Sequence, residues 1–449
     1  MSPPSSPGYR IWVVCGLLLL ATMINYMDRM ALNLTSKRIM EEFHFEEDFY
    51  GKLEGHFGLA FAVGAISTGL VADRLPIKLL YPFMVFFWSL SGFLTGLVQN
   101  KEELLACRIA LGFFEAANWP CALVTTRRLL DPARRTMGNS ILQSGAALGA
   151  ILTPMIVQIC LHKQTEESLP FIAGWRGAFL LTGMTGLVWI FLWGLFTWGI
   201  NLKDQEPHDP LAKKEHLGTI LGQIVWQKRF WILVLSVVSI NLTWHFLRAW
   251  LPLYLQKARG YSESEVNYFF MGYYLAADIG SLSAGFLTLY LAKIGFPVFS
   301  SRLTTFGLFA SLSLLSVLAA FIPTGPVFLG TLILMGFGTL GLFPCYYSFS
   351  QEISGRHQGK ITGLLGSINW IGMYIMQTGA GYFIQGTKTH YLELFKTQGY
   401  EQGIAMQMAQ EQAYVWGIAM AGIPPAIAFF TLLYFWKNPG EVRGKDTLS

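Results

Sequence analysis

The sequence predicts an all-α membrane protein, with twelve transmembrane helices arranged as two pseudo-symmetric six-helix bundles. Three observations lead there. Of 449 residues, 53% are apolar and only 13% charged, about half the charged share of a soluble domain, so the chain lacks the polar surface to sit in water. Apolar runs of about 20 residues, the length that crosses a bilayer as a helix, recur twelve times. One polar stretch, 201–229, carries nine charged residues and two prolines, divides the runs six and six, and reads as a linker.

In order, the spans fall at 9–31, 51–72, 79–99, 102–125, 137–161 and 175–200 in a first half (1–200). After the linker they fall at 230–255, 266–291, 298–321, 325–350, 359–386 and 413–436 in a second half (230–449). The first follows a short Pro/Ser-rich start and continues without a small-residue cleavage site, so it reads as a retained span and not a signal peptide. The fifth carries Gly145-Ala-Ala-Leu-Gly149, a small-xxx-small pattern that lets two helices approach closely. The seventh meets Pro252, which breaks a helix toward its outer end. With both termini cytoplasmic, the inner loops hold 19 Lys and Arg, the outer loops 10, and three remain inside spans. That bias sets the expected orientation, and it accounts for a net charge of +5, too slight to mean nucleic acid. The first outer loop packs Glu41, Glu42, Glu46, Glu47 and Asp48 into eight residues, and Asn33-Leu34-Thr35 before it fits a glycosylation pattern.

The halves echo each other. Gly69-Leu-Val-Ala-Asp73-Arg74-Leu75 returns 216 residues later as Gly285-Phe-Leu-Thr-Leu289-Tyr290-Leu291. Phe113, Pro120-Cys121 and Gly138 return as Phe337, Pro344-Cys345 and Gly363, at offsets of 224 to 225. Such repeats commonly flank a ligand site in membrane carriers.

A charge near the bilayer centre costs on the order of 2.5 to 3.5 kcal/mol, so each one inside a span is a functional candidate. Away from span edges these are Asp28, Arg29, Arg108, Glu115, Arg248 and Asp278. Asn25 lies three and four residues before Asp28 and Arg29 and shares a face with both. The three either form a polar cluster on an aqueous cavity or mark the end of the first span. Arg108 and Glu115, seven residues apart, share a face about 10 Å long. An ion pair of Asp28 with Arg108 would leave Glu115 alone in mid-span, the place for a protonatable carboxyl, because a carboxyl without water holds its proton more tightly. The second-half counterpart of Glu115 is Thr339, which puts any proton machinery in the first half.

In the seventh span, Trp244 and Arg248 stack on one face, and Arg248 either grips an anion by a forked contact or snorkels to the interface. His245, like His56, is either a packed histidine or a proton carrier. Asn369-Trp370, Tyr346, Tyr347, Gln351 and Gln143 suit hydrogen bonding to a polyhydroxylated ligand, or glue between helices. Cys15, Cys107, Cys121, Cys160 and Cys345 lack metal-ligand spacing and read as core. Nothing resembles a phosphate loop, a nucleophile elbow or a metal-binding helix, so no cofactor, metal or catalytic residue is expected.

These residues resemble the major facilitator superfamily, and within it the anion:cation symporter family of bacterial hexuronate, galactonate and glucarate carriers. Asn25-Tyr26-Met27-Asp28-Arg29 is similar to that family's Asn-Tyr-x-Asp-Arg, and Arg108-Ile-Ala-Leu-Gly112-Phe-Phe-Glu115 with Pro120 resembles its fourth-helix signature. Gly69 with Asp73-Arg74 resembles the superfamily loop after the second helix, although Pro76-Ile77 stands where a Gly-Arg pair is usual. The resemblance implies proton symport of a small organic anion across the bacterial inner membrane by a monomer. In that reading Asp28 and Glu115 couple protons, Arg29 binds the substrate carboxylate, Arg108 pairs with the acids, and Tyr26 and Asn369 line the pocket. Gly69, Asp73 and Arg74 form a cytoplasmic gate. Phe61 and Ala146 replace the Tyr and Gln that some sugar-acid members use. Rival readings are a carrier of an aromatic acid or organophosphate, and a sensor, which would want a soluble output domain larger than the linker or the 437–449 tail.

Overall fold

The computed structural model describes residues 8–72, 75–130, 132–163, 174–200, 202, 225–350 and 358–436, and every regular element among them is helical. The first-half helices are α1 (Gly8–Glu42), α2 (Glu47–Ala72), α3 (Ile77–Thr95), α4 (Lys101–Glu115), α5 (Asn118–Leu129), α6 (Pro132–Lys163) and α7 (Gly174–Thr197). Then come α8 (Lys228–Leu253) with a π-turn at Tyr254–Ala258, α9 (Glu263–Lys293), α10 (Val298–Ser313), α11 (Leu315–Phe321), α12 (Pro326–Ser350), α13 (Gln358–Thr397), α14 (Gln402–Ala421) and α15 (Ile423–Phe435).

Three of the twelve expected spans are broken helices: α4 with α5, α10 with α11, and α14 with α15. Pro120 lies in the first turn of α5, where its missing N–H costs nothing. Pro424 and Pro425 lie likewise in the first turn of α15, and the amide of Gly422, just before that helix, donates to Ser316 Oγ at 3.0 Å. Pro252 stays inside α8, and the departure from α-geometry comes just after it, as the π-turn. Nine of the described helices, counting consecutive pieces together, are long and apolar enough to cross a membrane. The helices that miss that mark include α2 and α4, which carry Glu54, Arg108 and Glu115.

The observed α1 overturns one expectation. The first span ends at Ala31 by hydropathy, yet the helix continues to Glu42 because its polar residues are satisfied within protein. Thr35 Oγ1 donates to the Ala31 carbonyl at 2.7 Å and Ser36 Oγ to that of Asn33 at 2.8 Å. Asp28 and Arg29 are therefore not a span end, and Asn33 is a buried helical residue, not a loop acceptor for sugar. Likewise α13 runs to Thr397 and α14 starts at Gln402, so polarity ended the predicted spans where helicity did not.

The chain divides into two compact units. The first comprises Met1–Lys213, Leu255–Met271 and Gln377–Gln385. In it α6 packs on α1 through the small-residue pattern: a Cβ on Gly145 would lie 2.1 Å from the Leu19 carbonyl oxygen, and one on Gly149 2.5 Å from that of Met23. Within the same unit Glu47 is buried and accepts from Lys257 Nζ at 2.8 Å, Arg38 pairs with Glu263, and Gln158 bonds Ser264 and Asn267. Part of the expected acidic loop is thus internal structure. The second unit comprises Lys214–Tyr254, Gly272–Met376 and Gly386–Ser449, and its core joins Phe230, Leu233, Val237, Phe306, Phe349 and Trp436.

Candidate functional site

The centre of the first unit holds five ionisable side chains, none more than 5% exposed: Asp28, Arg29, Glu54, Arg108 and Glu115. Each is fixed by its helix. On α2, Glu47, Tyr50, Glu54, Phe57 and Phe61 repeat at intervals of three and four, one face of a helix, and all five are buried. That face meets α4 closely, because Gly112 has no side chain: a Cβ there would lie 2.4 Å from the Phe57 carbonyl oxygen. Glu115 ends α4, and its carbonyl accepts from Asn25 Nδ2 at 3.4 Å.

The charges are paired otherwise than the sequence suggests. Arg29 Nε donates to Glu115 Oε2 at 2.7 Å, and Arg29 Nη2 to Asn25 Oδ1 at 3.0 Å. Arg108 Nη2 donates to Glu54 Oε1 at 3.0 Å. The same Glu54 oxygen accepts from Asn33 Nδ2 at 3.1 Å, which also reaches the Tyr50 hydroxyl at 2.8 Å. An Asp28–Arg108 bridge with Glu115 alone is therefore not what forms. Asp28 is wholly buried against Gly92, where a Cβ would sit 3.2 Å from its Oδ1. The nearby Thr182 hydroxyl bonds the Phe179 carbonyl at 3.2 Å, and neither Asp28 oxygen accepts a hydrogen bond among the described residues.

Aromatic faces complete the cluster. The Arg29 guanidinium lies 4.8 Å from the Phe61 ring centroid and 5.4 Å from those of Phe57 and Tyr26, and that of Arg108 lies 4.5 Å from Phe57. A cation over an aromatic face stays attractive without water, so two guanidiniums are held dry with one edge each on a carboxylate. Chemically, each guanidinium is one that could take an exogenous carboxylate in place of its internal one.

The other predicted residues are dispersed. Gln143 is exposed on α6. In the second unit, the His245 ring lies 5.1 Å from that of Trp370, and Asn369 is buried with no partner on Oδ1 among the described residues. Arg248 is 3% exposed and Trp250 fully covered, so neither snorkels to an interface. Tyr346 belongs to the apolar core with Phe349 and Leu365. The gate residues Asp73 and Arg74, and also Gln351, lie outside the described residues; Gly69 is near the end of α2. Among the described residues no group of His, Cys, Asp and Glu is spaced to hold a metal. Glu54 escaped sequence reading because it stood at the edge of an apolar window. The five-residue face of α2 was the signal that could have found it.

A frame of membrane-length apolar helices around buried, paired charges is the architecture of a membrane carrier. The chain matches the Major Facilitator Superfamily over residues 18–376 and belongs to it; it is a multi-pass transporter and not an enzyme. It is 24% identical over 352 residues to a galacturonate transporter of Dickeya chrysanthemi, covering 75% of this chain and 92% of that one. It is 24% identical over 388 residues to a hexuronate transporter of Escherichia coli K12, covering 80% and 84%. Its fold is shared with a bacterial homologue of the human lysosomal transporter Spinster, with a TM-score of 0.81 at 18% identity, over 97% of this chain and all of that one.

Proposed function

We propose that this protein is a proton-coupled symporter of a sugar acid, a hexuronate or hexonate, working by alternating access. It acts as a monomer in a bacterial inner membrane with both termini cytoplasmic. The observation that carries the reading is the count of charges in the buried cluster: three carboxyls against two guanidiniums. A net charge in so dry a place is expensive, and a proton relieves it.

The carboxylate of the sugar acid takes the Arg29 guanidinium by a forked contact and displaces Glu115. Left charged and buried, Glu115 then takes a proton, so anion and proton travel together. Asp28, wholly buried against Gly92, is the second proton site. Asn25 and Tyr26 hold the guanidinium in place, and Gln143 offers a hydrogen bond on α6. Asn369, Trp370, His245 and Arg248 give the second unit a polar group suited to sugar hydroxyls, while Tyr346 serves packing. Gly69, Asp73 and Arg74 form the cytoplasmic gate. The names of the galacturonate and hexuronate relatives support the substrate class.

The test is uptake of labelled glucuronate and galactonate into proteoliposomes, with and without an inward proton gradient, beside Glu115→Gln. Accumulation that needs both the gradient and Glu115 is the expected result; full gradient-driven accumulation by Glu115→Gln would overturn the mechanism. Arg248, a further buried cation, favours one alternative, a dianionic substrate, which competition by a panel of organic anions separates.

A further inference from the structure

We propose that Glu54 is a third coupling residue, which takes a proton so that Arg108 can leave it during the transport cycle. The inference rests on the symport reading above and goes beyond it, because that reading assigns protons to Asp28 and Glu115 only. Glu54 is 2% exposed, and its Oε1 accepts from Arg108 at 3.0 Å and from Asn33 at 3.1 Å. Arg108 and Glu115 lie on one face of α4, two turns apart, so Arg108 is the second cation within the reach of one helix face. When a substrate anion occupies Arg29, Glu115 loses the cation it is paired with, and Arg108 is the one that can compensate it.

Arg108 cannot leave Glu54 without cost. Parting a buried ion pair leaves two charges in a dry site, typically several kcal/mol. A proton on Glu54 removes one of them, and the guanidinium carries the other to its new partner. The charged and titratable groups around Glu54 suit such an exchange. From α4 it faces Arg108, with Glu115 beyond; from α1 it faces Asn33, with Arg29 and Asp28 one to two turns on. On its own helix Tyr50 bonds the same Asn33, and Glu47, a further turn away, is matched by Lys257. Asn33 and Tyr50 link Glu54 to the end of α2 where α1 turns back, which gives the proton a polar approach. Glu54 acts through Arg108 and is a positioning residue.

The experiment is steady-state accumulation of labelled glucuronate or galactonate in proteoliposomes under a one-unit inward pH gradient, with counterflow at symmetric pH measured on the same preparations. Each coupled proton multiplies accumulation by about ten per pH unit. Glu54→Gln is expected to keep counterflow and lose about tenfold in accumulation; accumulation equal to the unsubstituted protein overturns the proposal. If Glu54→Gln abolishes counterflow, Glu54→Asp decides. Restored counterflow with a displaced pH profile supports the coupling role, and an unaltered profile or no restoration overturns it. Absence of gradient-driven accumulation in the unsubstituted protein defeats the symport reading itself and this inference with it. If neither sugar acid is exchanged, infrared difference spectra on acidification decide: a protonated-carboxyl band missing in Glu54→Gln supports the assignment, and an identical band overturns it.

Discussion

Phe57 rests on Gly112 in the first half of the chain, and Tyr273 rests on Gly336 in the second, at the same offsets of 216 and 224 that relate the sequence echoes. A Cβ on Gly112 would lie 2.4 Å from the Phe57 carbonyl oxygen, and one on Gly336 2.5 Å from the Tyr273 ring. The joint next to it is duplicated even more closely. A Cβ on Gly64 would meet the Phe113 carbonyl oxygen at 2.2 Å, and one on Gly280 that of Phe337 at 2.0 Å. Yet around these matching joints the chemistry differs. Glu54, Arg108 and Glu115 correspond to Phe270, Leu332 and Thr339, all fully buried. The halves share a way of packing helices, but at these three matched positions only the first half carries charges.

The comparison breaks most sharply at Arg29. Arg29→Lys keeps the charge and loses the fork and the ring contacts, and uptake is expected to fall about 100-fold, against a loss of less than threefold for Arg302→Lys in the second half. Initial rates in proteoliposomes measure both. Next in size, Thr339→Glu places a buried carboxyl where Leu332 stands at the position matching Arg108. It is expected to destabilise the protein by about 3 kcal/mol, seen in thermal unfolding of the purified protein, without adding a coupled proton to the accumulation ratio.

The packing symmetry itself is tested by Gly64→Ala and Gly280→Ala. Each added methyl runs into backbone, and each is expected to cost about 1 to 3 kcal/mol; a large difference between them in unfolding midpoint would show that the joints are not equivalent. Smallest of all, Thr339→Val removes a hydroxyl that, among the described residues, bonds only its own helix, at the Met335 carbonyl at 2.8 Å. It should alter uptake and stability by less than about 0.5 kcal/mol, beside the loss of accumulation in Glu115→Gln.

Much of this was legible in the sequence. Apolar runs gave the helices, and the intramembrane acids and arginines of the first and fourth spans did meet. Gly145 and Gly149 did pack against a neighbouring helix. What failed did so for one reason: hydropathy measures what a residue would prefer in lipid, whereas α1 and α2 extend into places lined by protein. There Asn33, Glu47 and Glu54 are satisfied by partners far away in sequence, so the windows that ended at Ala31 and began at Gly51 left out Asn33, Glu47 and Tyr50 and put Glu54 at an edge. For Arg248 the sequence left open an anion grip or a snorkelling side chain, and its cover by protein speaks against the second.

The sequence by itself determined that this chain lives in a membrane, that it is built of helices, and that intramembrane charge is concentrated in the first half, because those follow from composition and periodicity. Only the tertiary structure decided which acid holds which arginine. Pairing depends on the crossing of α1, α2 and α4, on glycines that let backbones touch, and on rings that press the guanidiniums to one side; those are distances between segments, which no local pattern encodes.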